Sequence, residues 1–157
     1  MSERYTVHLD QLCDQSPPPD LFKCIGRCAI ANGCFDILHP GHLSLLATLD
    51  TEAYRRGLRP IVAINSDISI RRMKGPKRPI VPQESRSLLL NSLKWPFTVV
   101  IFEEETPQRL MDLLQPKFVL KGAEYPIGDV VRWEGSEVVT VDMVPRWSTT
   151  KIVGDTR

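Results

Sequence analysis

Residues 28–42 read CAIANGCFDILHPGH, and this stretch decides the fold. "CAIAN" is short and apolar and runs into Gly33, as a buried strand does. Pro40 suits the first position of a helix, where its missing amide costs nothing. The stretch therefore reads as a strand, a tight turn at Asn32 and Gly33, and the start of a helix. His39 and His42 straddle that start, and their spacing of three sets both imidazoles on one face of the first turn. The free amides and dipole of such a turn favour an anion. Gly41 has no side chain, so a bulky ligand can approach the backbone. Two of the chain's three histidines are thus placed as donors, neutral or protonated, to a phosphate. The plainer alternative is a pair of surface histidines at a helix cap. It leaves unexplained why strand, turn and proline all agree on one geometry.

Outward from this stretch, strands and helices alternate. Further strands are expected at RPIVAINSD (59–67), FTVVIF (97–102), KFVLKG (117–122) and EVVTVDM (137–143). A helix at GHLSLLATLDTEAYRRG (41–57) carries Leu43, Leu46 and Ala53 near helical spacing and stops at Gly57. ESRSLLLNSLK (84–94) is a second helix, ended by Pro96. In TPQRLMDLLQP (106–116), Thr106 reads as N-cap and Pro107 as the first helical residue. GDVVRWEG (128–135) reads as a short helix, and STTKIV (148–153) opens a last helical turn. This order predicts an α/β, Rossmann-like, doubly wound fold, with a mainly parallel five-stranded sheet and helices on both faces. Ligands of such sheets sit beyond the carboxyl ends of the strands. That directs attention to residues 32–42, 65–67, 103–105, 121–125 and 145–150. Residues 1–27, with the donor-poor SPPPD, are expected to be an irregular extension, and residues 28–157 one domain.

The totals agree with this reading. A chain of 157 residues, 42% hydrophobic and 25% charged, suits one domain with a real core. A net charge of +1 offers no broad field for nucleic acid or an anionic membrane, so neither partner is expected and any anion site is local. No apolar run is long enough to span a bilayer, and the N-terminus has no apolar signal core, so the cytoplasm is the expected compartment. Cys13, Cys24, Cys28 and Cys34 contain no CxxC and no zinc spacing, so four free thiols and no protein-held metal are expected.

NGCFDILHPGH resembles the signature of the HxGH nucleotidylyltransferase superfamily. INSDISIRRMKGPKRPIVPQESR, FEEETPQRLMDLLQPKFVLKGAEY and STTKIV resemble, in order and spacing, the adenylyltransferase domain that makes ADP-heptose from D-glycero-β-D-manno-heptose 1-phosphate. The similarity covers about residues 28–153. It implies transfer of a nucleoside monophosphate, AMP from ATP, onto a sugar phosphate with release of pyrophosphate. A phosphate oxygen attacks the α-phosphorus in line, so catalysis is positioning and charge neutralisation. Mg²⁺ is implied with the triphosphate, and a homodimer as the assembly.

The resemblance assigns roles residue by residue. His39, His42 and Lys74 become catalytic, the lysine as a mobile cation bridging the two reacting phosphates. Asn32, Gly33, Cys34, Phe35, Gly41, Arg86, Ser148, Thr149 and Thr150 become nucleotide contacts. Asp36, Asn65, Asp67, Lys121, Gly122 and Tyr125 become acceptor contacts. Structural alternatives stand beside several of these. Asp36 reads equally as a helix-start cap, Asn65 and Asp67 as an Asx-turn, Arg86 as an ion pair, Lys121 as a partner of one of Glu103, Glu104 or Glu105, and Ser148 as a plain N-cap. Arg71, Arg72, Lys77 and Arg78 read as a solvated loop. Ala123 and Glu124 stand where the family has Gly and Asp. Trp133 and Trp147 read as packed rather than stacking on a base. A cytidylyltransferase acting on glycerol 3-phosphate or a similar phosphate, using CTP, is the nearest alternative. That family resembles RTEGISTT, whereas this chain has MVPRWSTT, with Met143 at the arginine's place and Arg146 three residues on. A non-catalytic nucleotide-binding scaffold is the other alternative, and such a descendant would be expected to lose its catalytic cations first.

Overall fold

In the computed structural model, which describes residues 6–12, 19–142, 144 and 147–154, six strands form one parallel sheet. They are β1 (Thr6–His8), β2 (Cys28–Gly33), β3 (Arg59–Asn65), β4 (Thr98–Phe102), β5 (Phe118–Gly122) and β6 (Glu137–Val141). Their order across the sheet is β1-β4-β3-β2-β5-β6. The α-helices are α1 (Pro19–Phe22), α2 (Pro40–Arg55), α3 (Asp67–Lys74), α4 (Gln83–Ser92), α5 (Gln108–Leu114) and α6 (Thr149–Val153).

Each central strand alternates between two cores. Ile30, Ile61, Ala63, Val100 and Val119 pack on one face with Leu110, Met111 and Leu114 of α5. Ala31, Val62, Ile64, Val99 and Leu120 pack on the other with Leu46, Leu49 and Ala53 of α2 and Leu90 of α4. Strands buried on both faces read as unbroken apolar runs, which is why they were legible. On α2 the buried stripe is Gly41, Leu46, Leu49 and Ala53, and Leu43 faces outward instead.

Several expectations are corrected. The extension is not irregular at Thr6–His8, which pairs with Val99, Val100 and Ile101 and makes a sixth strand. Val7 and Leu9 are buried in the α5-side core, which is what fixes the segment there. The charged stretch after β3 is a helix, α3, capped by Ser66, whose Oγ accepts from the Ser69 amide, and closed by Gly75 at φ 90°. α5 begins at Gln108, with Pro107 in the cap position, so Thr106 is not its N-cap. GDVVRWEG is not a helix. Its first two residues belong to a single 3-10 turn at Ile127–Asp129, and Val130 is buried with Val131 and Trp133 packed against the same core. Val130 takes an extended backbone, φ −73° and ψ 114°, which ends the turn.

From β2 the chain proceeds outward through β3 and β4, then returns to the far side of β2 to make β5 and β6. The reversal falls between β2 and β5, and crevices at such points hold ligands beyond the carboxyl ends.

Candidate active site

A cavity of about 420 Å³ opens at that reversal. Asn32, Gly33, Cys34, Phe35 and Asp36 line it from the end of β2, Gly41 and His42 from α2, and Lys121, Gly122 and Tyr125 from β5 and its loop. Asn65, Lys74 and Thr149 complete the predicted residues that reach it. His39, Asp67, Arg86, Ser148 and Thr150 are not in its walls.

The turn after β2 is shaped by packing. Phe35 takes a left-handed backbone, φ 47°, which brings its ring back toward the strand. A Cβ on Gly33 would stand 3.3 Å from that ring, so glycine permits the approach. The Phe35 ring lies 4.9 Å from His42, centroid to centroid. His42 stacks on His39 at 3.8 Å, 19° from parallel. The His42 amide donates to His39 Nδ1 at 3.3 Å, so His39 is the N-cap of α2. With Nδ1 accepting, the neutral His39 ring carries its proton on Nε2.

Burial pushes His42 down to about 4, and the neighbouring His39 and Lys74 charges act in the same direction. Burial also lowers His39. Both rings are therefore neutral near pH 7 in the free protein, and each keeps one N–H able to donate. An arriving polyanion favours their protonation.

Lys74 is the last residue of α3, exposed at the cavity's mouth. Lys121 lines the same cavity from β5. Its Nζ donates to the Asn32 carbonyl at 3.0 Å and lies 5.1 Å from the Tyr125 ring centroid. It therefore does not pair with the acidic run after β4, where Glu103 meets Arg72 and Glu104 meets Arg109. Burial lowers Lys121 to about 8, opposed by Cys34 and Glu124. Asn32 Oδ1 is buried without a partner among the described residues. A buried acceptor in that state is costly unless a ligand supplies the donor.

Other predicted residues are committed to the protein itself. Arg86, 1% exposed, donates through Nη1 to the Cys34 carbonyl at 2.6 Å, through Nε to the Val81 carbonyl at 2.9 Å, and through Nη2 to Asp67 at 2.8 Å. Asn65 donates to Ser69 Oγ at 3.0 Å. Asp36 Oδ1 accepts from the Ile80 and Val81 amides, and its Oδ2 pairs with Arg78 at 3.0 Å. Arg78 is thus not solvated. Ser148 caps α6 by accepting from the Lys151 amide. Met143 and Arg146 lie outside the described residues. Leu45, Met73, Glu105, Thr106, Pro107, Glu124 and Val131 also line the cavity and were not assigned to it from sequence. Only the places of Glu105 and Glu124 just after strands signalled this.

Residues 30–153 match the family model described as cytidylyltransferase-like. The chain belongs to the cytidylyltransferase-like family. This cytidylyltransferase-like domain is 42% identical over 132 residues to "Bifunctional protein HldE" of Gluconobacter oxydans, covering 81% of the chain and 27% of that relative. It is 44% identical over 161 residues to the protein of the same name in Mesorhizobium japonicum, covering 97% of the chain and 32% of the relative. The chain thus spans about a third of the length of these relatives. With the family match and the histidine motif, they mark the domain as a nucleotidyltransferase. Among solved structures, a lipopolysaccharide core biosynthesis protein from Thermoplasma volcanium shares the fold at TM-score 0.54 and 24% identity, over 75% of this chain and 98% of that one. A macrolide-efflux protein from Streptococcus pneumoniae shares it at TM-score 0.63 and 17% identity, over 90% and 52%. Among the described residues no helix is long and apolar enough to cross a membrane.

Proposed function

We propose that this domain transfers AMP from ATP to a sugar 1-phosphate, D-glycero-β-D-manno-heptose 1-phosphate, and releases pyrophosphate in the cytoplasm. The observation that carries the reading is the stacked histidine pair at the β2–β5 reversal, of which His42 lines one cavity with Lys74 and Lys121 and His39 stands behind it. The likeness to the HldE proteins supports the branch. An acceptor phosphate oxygen forms the new bond to the α-phosphorus, the α–β bridging bond breaks, and its electrons leave with pyrophosphate. The acceptor dianion needs no base. His39 and His42 donate to the α- and β-phosphates, with the amides of Cys34 and Phe35 beside them. Lys74 neutralises charge between the reacting groups. Thr149, on the cavity wall, would meet the far phosphates, and Lys121 the acceptor. The unpartnered Asn32 Oδ1 suits a sugar hydroxyl.

Mg²⁺ would arrive on the triphosphate and neutralise its charge. Among the described residues no three His, Cys, Asp or Glu side chains converge as a cage, so phosphate and water oxygens would be its ligands. The competing reading, CMP transfer to glycerol 3-phosphate or a similar phosphate, is favoured by the family's description. Pyrophosphate release from each of four triphosphates, against several sugar and polyol phosphates, separates them. ATP with the heptose phosphate should be fastest. CTP with a polyol phosphate would establish the competitor, and no turnover with any pair would leave only a binding scaffold.

A further inference from the structure

The segment between α3 and α4 is tied down at two buried charges. Asp36, 4% exposed, receives the Ile80 amide at 2.8 Å, the Val81 amide at 2.9 Å and Arg78 Nη1 at 3.0 Å. Arg86 Nε holds the Val81 carbonyl from the other side. Both backbone groups of Val81 are therefore pinned, one to the histidine loop and one to α4. Arg86 also grips Asp67 in the first turn of α3 and the Cys34 carbonyl in the histidine loop. Nearer Lys74, the Arg78 amide donates to the Gly75 carbonyl at 3.2 Å and closes a turn. Only Gly75, Pro76 and Lys77 separate Lys74 from the pin.

We propose that Arg78, acting through Asp36, is a positioning residue that fixes where Lys74 stands relative to His39 and His42. Its guanidinium is mostly buried and meets the carboxylate 42 residues away, at the base of the histidine loop. The pair converts a glycine- and proline-containing segment into a strut of set length. Arg78 need not touch substrate to matter, because a reacting group displaced by about 1 Å loses on the order of a hundredfold in rate. This inference rests on the nucleotidyl transfer proposed above.

The test is a double-mutant cycle with Lys74→Ala, read by pyrophosphate release. Arg78→Gln should lower kcat by about a hundredfold and leave both KM values within about twofold. Arg78→Lys, which keeps the charge, should recover part of that loss. In the Lys74→Ala background, Arg78→Gln should cost no more than about twofold, because the two act through one cation. Full additivity, an unaltered kcat, or a raised acceptor KM at constant kcat would overturn the proposal. If the unaltered chain releases no pyrophosphate from any pair, the function above fails and the strut is read by amide exchange. Ile80 and Val81 should then exchange about tenfold faster in Arg78→Gln, with the β2 and β3 amides unchanged. Equal exchange would overturn the strut itself.

Discussion

Single residues set the electrostatics of this cavity through burial. His42 is driven to about 4 and His39 is lowered too, both chiefly because their charged forms are desolvated. Below the ordinary value of 6.5, the unfolded chain takes up protons that the folded chain refuses. Stability should therefore fall as pH drops from about 6.5 toward 4. His42→Asn should flatten that part of the melting-temperature profile, and an unaltered slope would contradict the assignment. Lys121 is the opposite end of the range. Burial takes it to about 8, so it loses its ammonium above that pH. If it meets the acceptor phosphate, kcat/KM should decline above pH 8, and Lys121→Arg should move the decline well upward. A decline that stays at 8 in the arginine variant would assign it to another group. The histidines were legible in sequence because their geometry is local: strand, turn and helix start within fifteen residues. The Asp36–Arg78 pair was not, because its members lie 42 residues apart and Arg78 sits in a run of charges that looks solvated.

Among the elements, α3 shows how terminal signals outweigh composition. Its sequence, DISIRRMK, has only Ser69 and Ile70 buried, too little for an apolar stripe. Yet Ser66 stands ready to cap it, Asp67 lies in its first turn, Arg71, Arg72 and Lys74 lie in its last, and Gly75 ends it. Those signals were present in the sequence and were masked by the charge density around them. α4 holds the start of α3 through the Arg86–Asp67 pair and the Gln83 Oε1 that accepts the Asp67 amide. Removing one member of a buried ion pair costs about 3–5 kcal/mol. Arg86→Met should therefore lower the melting temperature by about 6–20 °C at this chain length. A shift under 2 °C would show that the guanidinium contributes little to holding α3, α4 and the histidine loop together.

For the whole molecule, the doubly wound sheet and its ligand crevice followed from the alternation of apolar runs with helical spacing. The sixth strand did not, because three residues among polar neighbours carry no periodic signal. β1 is fixed by a distant partner, β4, and by burial of Val7 and Leu9, each worth about 1.5–3 kcal/mol. Deleting residues 1–12 should therefore lower the melting temperature by about 6–24 °C and, by baring the edge of β4, promote self-association in light scattering. Unchanged melting and scattering would show that the sheet is complete without it.

The account stands on a nucleotide's phosphates lying against the stacked imidazoles where the sheet reverses. A crystal structure with the non-hydrolysable α,β-methylene analogue of ATP tests this most directly. It should place an α- or β-phosphate oxygen within about 3.2 Å of His42, between the ends of β2 and β5, with the Lys74 ammonium beside it. Phosphates bound elsewhere on the sheet, or turned away from both rings, would contradict it.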